Sequence, residues 1–190
     1  MTLIKALTFA AVLALAAAPG ALAAPAHWTV DPAGSRLGFA GKMNGEGFTG
    51  VFKRWSADIV FDPKALGASK AVVTVDVASA QTGDADRDQA MPGADWLAAQ
   101  RFPRATFTTT SVKDLGGGKY LASGDLVIRG IHKPITLPFT LAITGDTARM
   151  NGAVALNRTA FGIGQGRWST GDVVDTAVAV TVQLTAHRAH

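Results

Sequence analysis

The sequence has no cysteine, few charged residues and few aromatic ones. The absence of cysteine in 190 residues excludes disulfides, thiolate metal sites, iron–sulfur clusters and thiol catalysis. Charged residues make up 17% and hydrophobic residues 48%, which is too apolar for a disordered chain. The length allows one domain with a substantial core. The stability of that domain must therefore come from the burial of apolar surface.

Clusters of one charge sign are also missing. The formal net charge is +4, but the basic residues are scattered and form no run or stripe, so no nucleic-acid binding is predicted. A small positive charge attracts a protein weakly to an anionic bilayer. We therefore expect at most a transient contact with a membrane surface. Nothing in the sequence indicates an oligomeric state.

The first segment of the chain has the pattern of a secretory signal peptide. Lys5 precedes the apolar run Ala6–Ala18, and Ala21-Leu22-Ala23 is a small-x-small cleavage site. The run is shorter than the roughly 20 residues that span a bilayer. We predict a signal peptide over residues 1–23 and one secreted domain over residues 24–190, located in the periplasm.

Apolar and polar residues alternate from Ser35 onward, which indicates about eight β-strands. Short turns between them favour antiparallel neighbours. Pro134 and Pro138 share one strand pattern, so that strand should be an edge or carry a bulge. The sets of residues that share one strand face, apolar except for Lys53, are Val51, Lys53, Trp55, Ala57, Ile59 and Phe61; Val73, Val75 and Val77; Leu126 and Ile128; Ile135, Leu137, Phe139, Leu141 and Ile143; Met150, Val154 and Leu156; and Val174, Val178, Val180, Val182 and Leu184.

Two further strands are predicted near residues 36–42 and 105–112, where the alternation is less regular. Residues 84–100 do not alternate and contain several alanines, which indicates a helical or partly helical insertion. The fold class is therefore all-β. Eight strands with one apolar face each form either a sandwich or a barrel, and an eight-stranded barrel is wide enough for one small ligand.

Several segments, in order along the chain, resemble those of the YceI-like polyisoprenoid-binding family. They are Trp28-Thr29-Val30-Asp31-Pro32, Thr49-Gly50-Val51-Phe52, Ser79-Ala80-Gln81-Thr82-Gly83 with Arg87-Asp88, Asp95-Trp96-Leu97, Phe102-Pro103-Arg104-Ala105-Thr106-Phe107, Gly124-Asp125-Leu126 with Arg129-Gly130, and Asn157-Arg158 with Phe161-Gly162-Ile163-Gly164 and Trp168. The resemblance implies an eight-stranded antiparallel lipocalin-like barrel with a short helical insertion. It also implies a long isoprenoid lipid, of the quinone or isoprenyl phosphate type, in an apolar lumen.

The resemblance and the alternation together give a candidate ligand site. Arg87, Asp88 and Arg158 are candidates for contact with a polar head group, and Trp96 is a candidate for the mouth of the barrel. The predicted lining residues of the lumen and mouth are Trp55, Ala57, Ile59, Phe61, Val75, Trp96, Phe107, Leu126, Leu137, Phe139, Met150, Val154, Phe161 and Val180.

Three alternatives compete with a lipid carrier. In the first, the apolar faces meet in a solid core, and the protein is a structural or interaction protein without a ligand. An enzyme would act through Arg87, Asp88 or His132, but no nucleophile motif surrounds them. Four aspartates, Asp84, Asp86, Asp88 and Asp95, fit a calcium loop only in part, because Gln89 replaces its glycine. We predict no catalytic residue, no metal and no cofactor.

Overall fold

The computed structural model describes residues 26–189, and strands dominate it. The strands are β1 (His27–Val30), β2 (Arg36–Met43), β3 (Glu46–Phe52), β4 (Trp55–Val60), β5 (Lys70–Asp76), β6 (Ala80–Gln81), β7 (Arg104–Gly116), β8 (Lys119–Ile128), β9 (Ile131–Thr144), β10 (Thr147–Asn157) and β11 (Ala177–Arg188). One α-helix, α1, spans Ala85–Ala90. Short 3₁₀ turns span Leu66–Ala68, Val77–Ser79, Arg158–Phe161 and Gly166–Trp168. No helix in this part of the chain is both long and apolar enough to cross a bilayer. The predicted signal peptide lies outside the described residues.

The strands close into a ring, which confirms the all-β prediction and decides for a barrel over a sandwich. The ring runs β1, β4, β5, β7, β8, β9, β10 and β11, and β11 pairs back with β1. It has eight strands, as the alternation predicted, and neighbouring strands are antiparallel. Strand β2 follows β1 along the same edge of β11, and β3 and β6 extend the sheet from β2.

The strand predicted from Val51 to Phe61 is two strands, so that prediction is wrong at its centre. Strand β3 ends at Phe52 and β4 begins at Trp55. Between them the chain is held by Ser79, because the backbone N–H of Lys53 donates to Ser79 O (3.1 Å) and that of Arg54 donates to Ser79 Oγ (3.0 Å). The local sequence carries no sign of this distant anchor.

Strand β9 lies inside the sheet, but half of it has a free edge. It pairs with β8 along its first ten residues, whereas its pairing with β10 ends at Phe139↔Gly152. The N–H of Leu141 donates toward β8, to Gly118 O. Even-numbered positions therefore face the β10 side, and Pro134 and Pro138 place their missing donors along the unpaired half. The prediction of an edge is thus confirmed for this half of β9.

The non-alternating segment is partly helical, as predicted. Asp84 caps α1 by accepting from the backbone N–H of Arg87 (2.9 Å), and the helix ends one residue before Met91. The last strand begins later than predicted, at Ala177 instead of Val174. Val174 forms an isolated bridge with Met43 and is buried.

One end of the barrel is filled by side chains. Trp28, Ala148 and Ala186 form a buried cluster there, and Trp28 Nε1 donates to Phe61 O (3.0 Å). Three aromatic rings continue this packing, with the Tyr120 ring 5.7 Å from that of Phe61 and 5.4 Å from that of Phe139. Burial raises the pKa of Tyr120, and the nearby Asp114 carboxylate raises it further. This end of the barrel is therefore a packed core.

Candidate functional site

A cavity of about 240 Å³ lies inside the ring of strands. Of its 33 lining residues, four have polar side chains, and these are Ser69, Lys70, Thr106 and Thr109. The others are aliphatic, aromatic or methionine side chains. A lumen with this lining can hold a hydrocarbon, and it offers a ligand few hydrogen bonds.

The inward-facing side chains do not fill this lumen. Along β9, β10 and β11 exposed residues alternate with half-buried ones, and the fully buried inward residues of β10 and β11 are Ala148 and Ala186 at the packed end. A close-packed core leaves few voids larger than a water molecule. Half-buried apolar side chains that point inward therefore face empty space, which argues against the solid-core alternative.

Twelve of the fourteen predicted lining residues lie on the cavity wall. They are Trp55, Ala57, Ile59, Phe61, Val75, Phe107, Leu126, Leu137, Phe139, Met150, Val154 and Val180. Further residues on the wall, such as Leu141, Leu156 and Val182, belong to the same alternating sets and were detectable from them. The prediction missed Trp28, which precedes the alternating part of the chain, and Leu37, where the alternation is less regular. It missed Phe52 because a single strand from Val51 to Phe61 would place Phe52 on the outer face.

Trp96 and Phe161 do not line the cavity, so their predicted place on its wall is wrong, whereas the role of Trp96 at the mouth of the barrel stays a prediction. The Trp96 ring packs 5.5 Å from the Trp168 ring, between the insertion and the loop that joins β10 to β11. Phe161 is 3% exposed in the 3₁₀ turn that begins this loop. The backbone N–H groups of Gly164 and Gln165 both donate to Asp95 O, at 2.7 and 2.8 Å. These contacts fasten the two loops to each other.

The sequence predicts that Arg158 contacts a head group, but in the structure its guanidinium binds backbone carbonyls of the protein. The side chain is 3% exposed and donates four hydrogen bonds to backbone carbonyls. The acceptors are Asp175 O (2.9 Å), Ile163 O (2.8 Å), Thr170 O (2.8 Å) and Val174 O (2.6 Å). Burial lowers the pKa of Arg158. A buried group with these partners is not available to a ligand.

Arg87 and Asp88 also act within the protein. Arg87 pairs with Asp84 (3.1 Å) and stacks 4.4 Å above the Phe48 ring, and its buried Nε has no hydrogen-bond partner within residues 26–189. Asp88 accepts from the Thr82 hydroxyl (2.7 Å) and from the backbone N–H of Thr82 (2.6 Å). The Thr82 hydroxyl is the main cause that lowers the pKa of Asp88. Both residues hold α1 against the preceding turn.

The residues of the enzyme and calcium alternatives are not gathered into one site. His132 Nδ1 lies 2.7 Å from Asp125 Oδ2, and both side chains are exposed. Arg87 and Asp88 make their contacts in the insertion instead. Within residues 26–189 no group of three or more His, Asp or Glu side chains is arranged to hold a metal ion.

Comparisons with known proteins agree with this geometry. The chain is 36% identical over 132 residues to the UPF0312 protein VPA0850 of Vibrio parahaemolyticus, covering 68% of this chain and 70% of the relative. The crystal structure of Burkholderia cenocepacia BcnA matches with a TM-score of 0.79 and 34% identity, over 82% of this chain and 98% of that one.

A more distant structure shares the fold. It is a polyisoprenoid binding domain from Saccharophagus degradans, with a TM-score of 0.67 at 17% identity, over 85% of this chain and 98% of that domain. A family model described as the YceI-like domain matches residues 28–186. The chain therefore belongs to the YceI-like family.

Proposed function

We propose that this protein holds the hydrocarbon chain of a polyisoprenoid lipid in its barrel lumen and acts as a binding protein without a catalytic step. The observation that carries the proposal is the lumen itself, which is apolar along the ring and is left unfilled by half-buried side chains. The name of the Saccharophagus degradans structure adds support.

The energetics favour long chains over short ones. Burying one five-carbon isoprene unit contributes on the order of 3 kcal/mol relative to water, whereas association costs about 4–15 kcal/mol. One unit barely offsets that cost, and several units exceed it. Relative to a bilayer, where the chain is already dry, the net gain is small. This balance suits a carrier that loads and unloads lipid during a transient contact with a membrane surface.

We also propose that the protein is exported to the periplasm and that residues 1–23 are removed. The proposal rests on the charge, the apolar run and the small-x-small site of the sequence. Cell fractionation followed by N-terminal sequencing tests it. A protein that begins at Ala24 in the periplasmic fraction supports the proposal, and an unprocessed cytoplasmic protein contradicts it.

Lipid binding is tested by native mass spectrometry of the purified protein and by uptake of an isoprenoid quinone after lipid removal. We expect a discrete added mass that organic extraction releases, and renewed uptake by the stripped protein. If repeated preparations carry no added mass and the stripped protein takes up no quinone, the proposal is wrong.

A filling variant locates the site. Val154 faces the lumen, and its neighbour Ala155 faces outward on the same strand. Val154→Trp should occupy part of the cavity and reduce quinone uptake at least about tenfold, since excluding two buried CH₂ groups of the ligand alone costs about 1.6 kcal/mol. Ala155→Trp adds the same ring to the outer surface and should leave uptake unchanged. Equal uptake by both variants would place the ligand outside the lumen.

A further inference from the structure

The barrel wall has a gap between the first two pairs of strands. Strand β1 pairs with β4 at Trp28↔Ile59, and β2 pairs with β3 from Leu37↔Phe52 onward. Between these two points residues 29–36 and residues 53–58 face each other without pairing. On the β4 side of the gap, the backbone N–H groups of Lys53 and Arg54 donate to Ser79 and not to β2. A cleft of about 980 Å³ lies at this gap.

The cleft adjoins the lumen. Five residues line both the cleft and the central cavity, and they are Trp28, Leu37, Phe52, Trp55 and Ala57. The cleft also touches Ser56 and Asp58, which point outward from β4. A cleft that touches both faces of one strand lies at the free edge of that strand. We call this gap, where the outer cleft and the lumen share those five side chains as a common wall, the passage.

Two cations without partners lie at the outer rim of the passage. The side chains of Arg36 and Lys53 line the cleft and are exposed, and within residues 26–189 neither makes a hydrogen bond or an ion pair. By contrast Arg54, next to Lys53 but outside the cleft, pairs with Asp76 at 2.8 Å. The other titratable side chains that line the cleft are His27 and Asp58.

The free edge of β4 adds a backbone donor. The N–H of Phe61 donates to Ala26 O on the β1 side, and N–H groups two and four residues away on the same strand point the same way. This alternation directs the N–H of Ala57 into the gap, where β1 has no paired residue. Two cations and a backbone donor form a suitable environment for a phosphate group.

We propose that the passage between β2 and β4 is the head-group site for an isoprenyl phosphate, with Arg36 and Lys53 binding the phosphate while the chain enters the lumen past Trp55 and Ala57. The proposal rests on the proposed function, because it assigns the polar end of the same lipid. Arg87 and Arg158 are engaged within the protein, so the proposal assigns neither of them to the phosphate.

The test compares two probes with the same chain, farnesyl phosphate and farnesol. The double variant Arg36→Gln/Lys53→Gln is matched by Lys113→Gln/Arg149→Gln, which removes the same charge at exposed positions outside the cleft. Calorimetry on the stripped protein should show farnesyl phosphate binding weakened about tenfold or more in the first variant. Its farnesol binding, and both affinities of the control, should be unchanged.

A second measurement needs no variant. For the unmodified protein, raising the ionic strength should weaken farnesyl phosphate binding and leave farnesol binding unchanged, because salt screens an exposed ion pair. If farnesyl phosphate loses no more affinity than farnesol in either experiment, the head-group assignment is wrong while the lumen proposal stands. If the unmodified protein binds neither probe and no isoprenoid quinone, the proposed function itself fails, and this inference fails with it.

Discussion

Arg158 holds the long loop between β10 and β11 in one shape. Four carbonyls from residues 163 to 175 accept its hydrogen bonds, and a Cβ at Gly164 would collide with its guanidinium. A buried cation is costly unless its donors are satisfied. Here the donors and the loop carbonyls satisfy each other, so the residue is structural although its type suggested a ligand contact.

Replacing Arg158 should destabilise the protein strongly. Arg158→Gln leaves several of the four carbonyls without a donor, and we expect a loss of about 3 kcal/mol in the free energy of unfolding, measured by urea denaturation. Arg158→Lys should also be destabilising, because an ammonium cannot reproduce the planar set of donors. Arg149→Gln, at an exposed position on β10, should change stability by less than about 0.5 kcal/mol. Equal stability of the Arg158 and Arg149 variants would contradict this account.

Gly124 on β8 is required by close approach. An added Cβ would lie 2.5 Å from Phe107 Cε2 and 2.5 Å from Thr108 O, and the latter is backbone. Gly124→Ala should therefore cost about 1–3 kcal/mol of stability through overpacking, and it should shift the Phe107 ring in the lumen. Gly47→Ala on β3 is the control, since nothing lies within 4 Å of its Cβ position. Thermal unfolding of the two variants compares them, and similar melting temperatures would contradict the prediction.

Asp88 makes the free energy of unfolding depend on pH in the acidic range. Its pKa in the folded protein is lowered, first by the Thr82 hydroxyl and then by the backbone N–H of Thr82. A lowered folded pKa means that the stabilisation is present above the unfolded value and is lost as pH falls through the folded value. Asp88→Asn should therefore flatten the decline in stability below pH 3.8, measured by urea denaturation across acidic pH. An unchanged decline would assign it to other carboxylates, such as Asp84, whose pKa is also lowered.

At the scale of elements, the two-residue alternation of apolar and polar side chains predicts which residues face inward, but it does not predict where a strand ends. The alternation placed Trp55, Leu137 and Val180 on the cavity wall, because every strand residue must point to one of two faces. The break after Phe52 depends on Ser79, and the late start of β11 depends on Met43 and Arg158. Those partners are distant in sequence, so local pattern carries no trace of them.

The unpaired half of β9 should be visible in hydrogen exchange. The N–H of Thr136 points to the side where β10 has separated, whereas the N–H groups of Ile135 and Leu137 point to β8. We expect the Thr136 amide to exchange much faster than its two neighbours in NMR experiments. Comparable protection at all three positions would show that β10 or another segment covers this edge.

For the whole molecule, the alternation predicted about eight strands with one apolar face each, whereas the closed ring and its lumen were predicted by the family resemblance alone. Inward alternation is the same whether the apolar faces interlock or surround empty space, since it records direction and not distance. The sizes of the enclosed side chains and the strand count together decide the volume that is left. The alternation could not predict the gap in the wall beside β4 either. That gap arises where β1 and β2 share one edge of β11, and a local pattern does not show which strands pair.

That shared edge has a consequence for folding kinetics. Strand β11 joins β1, β2 and β10, and Ser35 bonds to Thr185 across a separation of 150 residues. Native pairings between such distant residues give a high contact order, and the entropy of closing so large a loop must be overcome before the ring is complete. Stopped-flow refolding followed by tryptophan fluorescence should therefore be slow, from about milliseconds to seconds. Recovery of this signal within microseconds would contradict the prediction, because the pairing of β11 with β1 and β2 requires contacts between residues that are far apart in the chain.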